Sequence, residues 1–427
     1  MVSFMKFILH FAICGALILF SLPVLAQTAQ DTVISNVMAR DAENTNIILV
    51  DKSSGTLHTV TAEGNNITFG ETYPIIYGSN QGDKQVSGDN KTPEGVYYIT
   101  NWTSGDWLVK RYGNYAKIYG SGAFPINYPN LVDKIRKKTG HGIWIHGRDP
   151  IGGKDTTQGC VALHNEDLMS LYSFAKVKDP VIIADKALYL TKDRYDELYK
   201  ELFGAFDGFI DSWRYSDFNT FQGYIHGDFK GQGKSASGYL SSKKYLMERF
   251  KDKVITNEDT KIFIKDENNF LVDTRQFYCA QNITSYSNKR YYFVKDGSNV
   301  KLLGEEAFSL PFGDVIKSAT ETFVADWAEA WRSADIDKYI TFYSDKFKNG
   351  RMNKDAWHQY KKNVFEKAGT INLEISNISW DEANNIYRVS FNQKYSGGAV
   401  SDEDIKTLVF EGCPGNFKII SETWKAN

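Results

Sequence analysis

The sequence predicts a mostly-β domain followed by two copies of an α+β domain, and three observations carry that prediction. Residues 47–184 break into short apolar runs separated by turn residues, the signature of hairpins. From residue 195 onward the chain repeats itself, helices first and amphipathic strands after. Between these halves, residues 140–164 (GHGIWIHGRDPIGGKDTTQGCVALH) bring histidines and a cysteine together in a glycine-rich setting suited to chemistry. A chain of 427 residues exceeds one ordinary core, and roughly 150 residues per domain gives about three.

Composition excludes one class of partner. Lys and Arg number 50 against 52 Asp and Glu, for a net charge of -2. Basic and acidic residues are mixed along the chain, so there is no electrostatic footprint for nucleic acid.

Residues 1–26 read as a separate segment. Lys6 precedes an apolar run over 7–22, and Pro23-Val24-Leu25-Ala26 places small residues before a cut after Ala26. This is a secretory signal peptide in form, implying export to the periplasm. An uncleaved inner-membrane anchor is the alternative, because the run approaches the ~20 residues a span requires. Removing the segment leaves Cys160, Cys279 and Cys413, an odd number, so a disulfide framework is not expected. Cys279, in the run Phe277-Tyr278-Cys279-Ala280, reads as a small core residue and Cys413 as part of a turn. A bridge between them is disfavoured because they fall in different units.

Within the first domain, taken as 31–190, strands are expected at 47–50, 56–61, 67–69, 72–77, 96–100, 108–110, 116–119 and 181–184. Short helices are expected at 130–138 and 166–175. The polar loop 78–90 delivers Lys91-Thr92-Pro93-Glu94-Gly95 ahead of a strand, with proline and glycine redirecting the chain.

The second half divides at 195–310 and 312–427. Trp213, Arg214, Asp217 and Phe229 align without gaps on Trp331, Arg332, Asp335 and Phe347. Each copy then has a helical segment, 243–250 or 354–365, followed by amphipathic strands. Neither copy gathers an obvious catalytic set, and Trp213, Trp331 and Trp357 read as core residues. The copies look like cone-shaped binding or assembly modules, with a glycan or a protein as the partner.

Chemistry is expected at 140–164. Alternation along 142–145 puts Trp144 and His146 on one face and Ile143 and Ile145 on the other. Cys160 follows glycine at the tip of a turn, where its sulfur is exposed and backbone N–H groups are free to meet an oxyanion. A thiol near pKa ~8.5 is mostly protonated at neutral pH, and an adjacent imidazole activates it. Other residues carry weaker signals. His141 either lines a groove or bonds to backbone, and Arg148 and Lys154 either face a carboxylate-bearing substrate or stand in solvent. His164 reads as a helix-entry or surface residue. A zinc site from His141, His146, Cys160 and His164 lacks the tight ligand pairs of structural zinc, so no metal and no cofactor are expected.

Thr92-Pro93-x-Gly95-Val96-Tyr97-Tyr98-Ile99, Ile145-His146-Gly147 and Thr157-x-Gly159-Cys160-Val161 together resemble the YkuD-type L,D-transpeptidases of bacterial cell walls over residues 45–186. The repeated half is similar to nuclear-transport-factor-2-like (NTF2-like) domains. The whole resembles the cell-shape-determining L,D-carboxypeptidases. The resemblance implies acyl transfer on peptidoglycan stem peptides, with Cys160 as nucleophile and His146 as base and then acid. It also implies that the Gly147 carbonyl orients the imidazole, that Gly159 and Cys160 N–H groups form the oxyanion hole, and that Thr157 supports the turn. Trp144 joins His141, Arg148 and Lys154 as a substrate-binding candidate. Ala162 stands where most transpeptidases have arginine, which favours water as acceptor: removal of the terminal D-alanine from tetrapeptides containing meso-diaminopimelate. An L,D-transpeptidase that forms cross-links or exchanges D-amino acids, and a non-catalytic peptidoglycan-binding scaffold, are the alternatives.

Overall fold

A computed structural model describes residues 32–148, 155–281, 283–297, 299–383 and 386–426. The expected signal segment and Lys154 lie outside the described residues. The first part of the chain supplies strands β1 (Thr32–Ile34), β2 (Val37–Arg40), β3 (Ala42–Asp51), β4 (Thr56–Gly64), β5 (Asn66–Pro74), β6 (Gly95–Tyr98), β7 (Thr103–Ser104), β8 (Gly122–Pro125), β9 (Trp144–His146), β10 (Val161–Ala162), β11 (Pro180–Ala184) and β12 (Tyr189–Thr191). Helices α1 (Gly105–Tyr112), α2 (Leu131–Ile135) and α3 (Asn165–Phe174) lie among them.

Two larger sheets form, one of five strands in the order β5-β4-β3-β11-β6 and one of four in the order β10-β9-β8-β7, while β1 and β12 pair by themselves. The unbroken run Ile47-Ile48-Leu49-Val50 explains the placement of β3, which is apolar on both faces. Ile48 and Val50 enter a core with Phe124, Ile145, Val161 and Leu168, between the two sheets and α3. Ile47 and Leu49 turn the other way, into a second core shared with Phe263, Leu271 and Tyr292 of the first repeated module.

The expected strands at 108–110 and 116–119 are instead helical: α1 and a 3-10 turn over Asn114–Tyr119. Local chemistry accounts for α1. The Ser104 side chain accepts from the Trp107 N–H, Asp106 occupies the first turn, and Lys110 and Arg111 occupy the last.

Each module lays helices on a sheet whose four long strands pair antiparallel. In the first, helices Lys192–Arg214, Phe218–Gly223 and Ala236–Arg249 precede long strands Lys253–Asp266, Asn269–Ala280, Ile283–Asp296 and Asn299–Leu310. In the second, Gly313–Arg332, Ile336–Thr341 and Lys354–Ala368 precede Asn372–Ala383, Ile386–Gly397, Val400–Glu411 and Lys418–Ala426. The residues that match in sequence do the same work. Asp217 and Asp335 cap the second helices, accepting from the Thr220 and Lys338 N–H groups. Arg214 and Arg332 each donate from Nε to a strand carbonyl at 3.1 Å, that of Ile255 or of Leu373. Trp213, Trp331 and Trp357 are buried, with the Lys243 ammonium 3.2 Å from the Trp213 ring centre and that of Lys361 3.8 Å from Trp331.

Two connections were not legible in the sequence. β2 leaves the first domain and pairs antiparallel with Lys253–Asp266, Arg40 opposite Thr260 and Val37 opposite Phe263, completing a seven-stranded sheet. Cys279 and Cys413 form a disulfide with their Cα atoms 5.7 Å apart, correcting the reading of both as unpaired. Strand Asn269–Ala280 of the first module reaches the second, where Phe277 and Cys279 pack among Trp327, Phe410 and Phe417. The bridge spans a sequence separation of 134. Chain-entropy arguments give such a loop about 4–5 kcal/mol. Replacing Cys413 by Ser is therefore expected to lower the stability of the second module by about 2–5 kcal/mol, measured by denaturant unfolding followed through its tryptophans; an unchanged midpoint would refute this.

Candidate active site

Strand pairing assembles the site. β10 runs parallel to β9, Val161 opposite Ile145 and Ala162 opposite His146. By the period of two, Cys160, Ala162, Trp144 and His146 share one face, while Ile145 and Val161 enter the core. Residues 76–79 flank the nucleophile segment on its other side. Ile76 and Ala162 exchange backbone hydrogen bonds at 2.9 and 2.8 Å, and the Thr157 N–H donates to the Tyr77 carbonyl at 2.9 Å.

His146 is held by its neighbour. Its Nδ1 lies 2.5 Å from the Gly147 carbonyl oxygen, an acceptor only, which places the proton on Nδ1 and leaves Nε2 with a free lone pair. Burial lowers the imidazole to about 4, against the Gly147 carbonyl, which favours the charged form. Gly147 is fixed in turn by Asn165. The Asn165 amide donates to the Arg148 carbonyl at 2.9 Å and its oxygen accepts from the Ser121 N–H at 2.8 Å. A Cβ on Gly147 would meet that oxygen at 2.2 Å, so only glycine fits.

Cys160 is half-buried and is the free cysteine among the described residues. Its thiol donates to the Gly142 carbonyl at 3.5 Å. Burial pushes the thiol up to about 11, opposed by the Trp144 N–H and by the positive charge of Lys84. Both groups are thus neutral at pH 7, an uncharged thiol and an uncharged imidazole on one face of the sheet. Tyr119 packs on the same face. Its ring stands edge-on to His146 with centroids 5.1 Å apart and leans on Trp144 at 4.8 Å. Burial raises the Tyr119 phenol, and the nearby Cys160 adds to the shift.

The turn before Cys160 is held by hydroxyls. Thr157 Oγ1 donates to the Cys160 carbonyl at 2.6 Å and accepts from the Gly159 N–H at 3.0 Å. The Gly159 N–H, expected as one oxyanion donor, is therefore engaged within the turn. Gly159 has φ +130, and a Cβ there would lie 2.8 Å from the Lys91 carbonyl oxygen.

The remaining candidates separate. Arg148 donates to His164 Nε2 at 2.7 Å, and His164 opens α3 at its N-cap. His141 is exposed, next to the Gly142 whose carbonyl receives the thiol. Sequence reasoning missed Asn165 and Lys84. The signal for Asn165 was a side-chain amide at a helix start close after the nucleophile. Lys84 is buried against Asp89 at 2.6 Å in the loop that was read only as polar.

With this geometry in place, the comparisons define the class. Residues 45–183 match the YkuD L,D-transpeptidase catalytic domain, and residues 201–306 and 319–423 each match the Cds6 C-terminal NTF2-like domain. The chain carries a YkuD catalytic domain of the peptidoglycan-modifying L,D-transpeptidase type followed by NTF2-like domains. Among solved structures it is similar to Bd1075 of Bdellovibrio bacteriovorus, at 27% identity and a TM-score of 0.58 over 66% of this chain and 99% of that one. It is also similar to the helical cell shape determining protein Pgp2 of Campylobacter jejuni, at 29% identity and a TM-score of 0.52 over 64% of this chain and 95% of that one. No curated protein matches.

Proposed function

We propose that the protein is an extracytoplasmic cysteine L,D-carboxypeptidase that removes the terminal D-alanine from meso-diaminopimelate-containing stem tetrapeptides, and that it acts on cell shape. The observation that carries this reading is the imidazole of His146, proton fixed on Nδ1 by Gly147, on the same sheet face as Cys160. Nε2 takes the thiol proton as sulfur attacks the carbonyl between diaminopimelate and D-alanine, then delivers it to the departing amine. Water, deprotonated by the same imidazole, releases the tripeptide. Ala162 supports water as the acceptor. It lies directly opposite His146 and is buried, so a methyl group stands where the transpeptidase motif has an arginine associated with substrate placement. The shape role rests on the likeness to Pgp2, with residues 31–190 as catalytic domain and 195–310 and 312–427 as modules that dock glycan or a protein partner. Export through residues 1–26 brings the enzyme to its substrate.

Purified protein given disaccharide-tetrapeptide is expected to release D-alanine and leave disaccharide-tripeptide, while Cys160→Ala releases none, as read by mass spectrometry. Cross-linked dimers in place of tripeptide would make the enzyme a transpeptidase. An unchanged substrate with both proteins would leave a scaffold.

A further inference from the structure

We infer that Thr92 is a positioning residue for the oxyanion hole, acting through the peptide bond that joins Gly159 to Cys160. This rests on the acyl-transfer reading of Cys160 and gives the threonine of the Thr92-Pro93 motif a chemical task. Thr92 is fully buried and lies 67 residues before the carbonyl it meets. Its hydroxyl accepts from the Gly78 N–H at 2.9 Å and donates to the Gly159 carbonyl oxygen at 2.9 Å. The first bond fixes the direction of the second, because the hydroxyl hydrogen points away from the donor it receives.

The consequence follows from peptide planarity. The Gly159 carbonyl and the Cys160 N–H belong to one trans unit and point in opposite directions. Holding the carbonyl toward Thr92 therefore aims the Cys160 N–H away from the body of the domain. The neighbouring peptide groups are occupied, since Thr157 Oγ1 receives the Gly159 N–H and donates to the Cys160 carbonyl. Among the described residues, no acceptor engages the Cys160 N–H, whereas the Gly159 N–H before it and the Cys160 carbonyl after it are both taken. It belongs to the nucleophile itself, so an oxyanion formed by attack of Sγ develops beside it.

The surroundings hold Thr92 in place. A Cβ on Gly78 would meet the Asn90 carbonyl at 2.4 Å and the Thr92 nitrogen at 2.8 Å, so the two segments touch backbone to backbone. Loop 78–94 is pinned from below by Lys52–Glu94 at 2.7 Å and Lys138–Asp83 at 2.6 Å, with Lys265 of the first module 3.6 Å from Glu94.

Thr92→Val keeps the shape and removes the hydroxyl, while Thr92→Ser keeps the hydroxyl. The test compares two reactions of Cys160 in the full-length protein. Acyl transfer, followed as D-alanine release from disaccharide-tetrapeptide, needs the oxyanion hole; alkylation by iodoacetamide, mapped to Cys160 by peptide mass spectrometry, forms no oxyanion. For Thr92→Val we expect kcat to fall about 100-fold with KM within about twofold, and alkylation within about twofold of the parent. Thr92→Ser should recover most of kcat. A Thr92→Val enzyme within about threefold of the parent in kcat would overturn the assignment. So would a parallel loss of alkylation and acyl transfer, which marks a disordered turn rather than a misdirected N–H. A parent enzyme that alkylates normally yet releases no D-alanine and forms no cross-links would instead overturn the acyl-transfer reading itself.

Discussion

Replacing His146 by Gln is expected to slow acylation of Cys160 about 1,000-fold at pH 7.5 and to change how the rate depends on pH. The reason lies in the two neutral groups. With the thiol at about 11 and the imidazole at about 4, the free enzyme holds almost no thiolate at neutral pH. The nucleophile must therefore be generated within the reaction by a base that is already unprotonated. The sign follows directly. His146 is depressed, so its basic form is present above about pH 4 and is lost as the pH falls through that value. The parent enzyme should gain activity through pH 4 and stay level across neutrality. The variant has no base and must draw on free thiolate, so its rate should climb about tenfold per pH unit toward 11. The gap between the two profiles should close with rising pH. A variant whose rate is flat from pH 6 to 9 would show that His146 is not the base.

The second large effect concerns stability. Replacing Glu305 by Ala is expected to destabilise the first module by about 3–5 kcal/mol. Glu305 is buried, 2.5 Å from the Lys289 ammonium, and it accepts from Tyr239 at 2.7 Å and from Gln232 at 3.1 Å. Burial opposes its charge, yet Lys289 and Lys243 hold the carboxyl down at about 2. Burial also drives Lys243 down to about 7, with Glu305 the main influence favouring its charge. Deleting the carboxylate strands the buried Lys289 ammonium and removes the main influence that keeps a charge on Lys243. Because Glu305 is depressed on folding, its contribution is complete above the ordinary carboxylate range and disappears as the pH falls toward 2. Urea unfolding at pH 7 should show the loss, and the variant's stability should fall less steeply than the parent's below pH 4. Equal midpoints at pH 7 would contradict it.

The hairpins of the first domain were readable because hydrophobic alternation and turn residues are local, and the strand expected at 142–145 forms at Trp144–His146, later by two residues at its start. The repeat was equally plain, since Trp213, Arg214 and Asp217 recur in register and each reappears in an equivalent contact. The misread stretch, 105–119, is short enough that a few apolar residues fit either period, and the capping of α1 by Ser104 decided it. Long-range pairings left no local trace. Nothing in Val37–Arg40 tells that its partner strand begins at Lys253, or that Cys279 reaches the turn at Cys413. The candidate site was legible at Cys160 and His146 because a thiol nucleophile needs a base, while the Gly147 carbonyl, 2.5 Å from His146 Nδ1, was expected only from the family resemblance. Asn165, Lys84 and the Thr92–Gly159 bond were hidden because their effect is geometric and depends on the folded chain.

The strand β2 has a consequence for how forces pass through the molecule. Because it is hydrogen-bonded into the sheet of the first module while β3, the next strand, belongs to the catalytic sheet, the two bodies share a seam rather than a hinge. The disulfide at Cys279 makes a second seam farther along. The catalytic domain and the two modules are therefore joined by paired strands and a covalent bridge as well as by the chain between them, so neither module hangs on a slack tether.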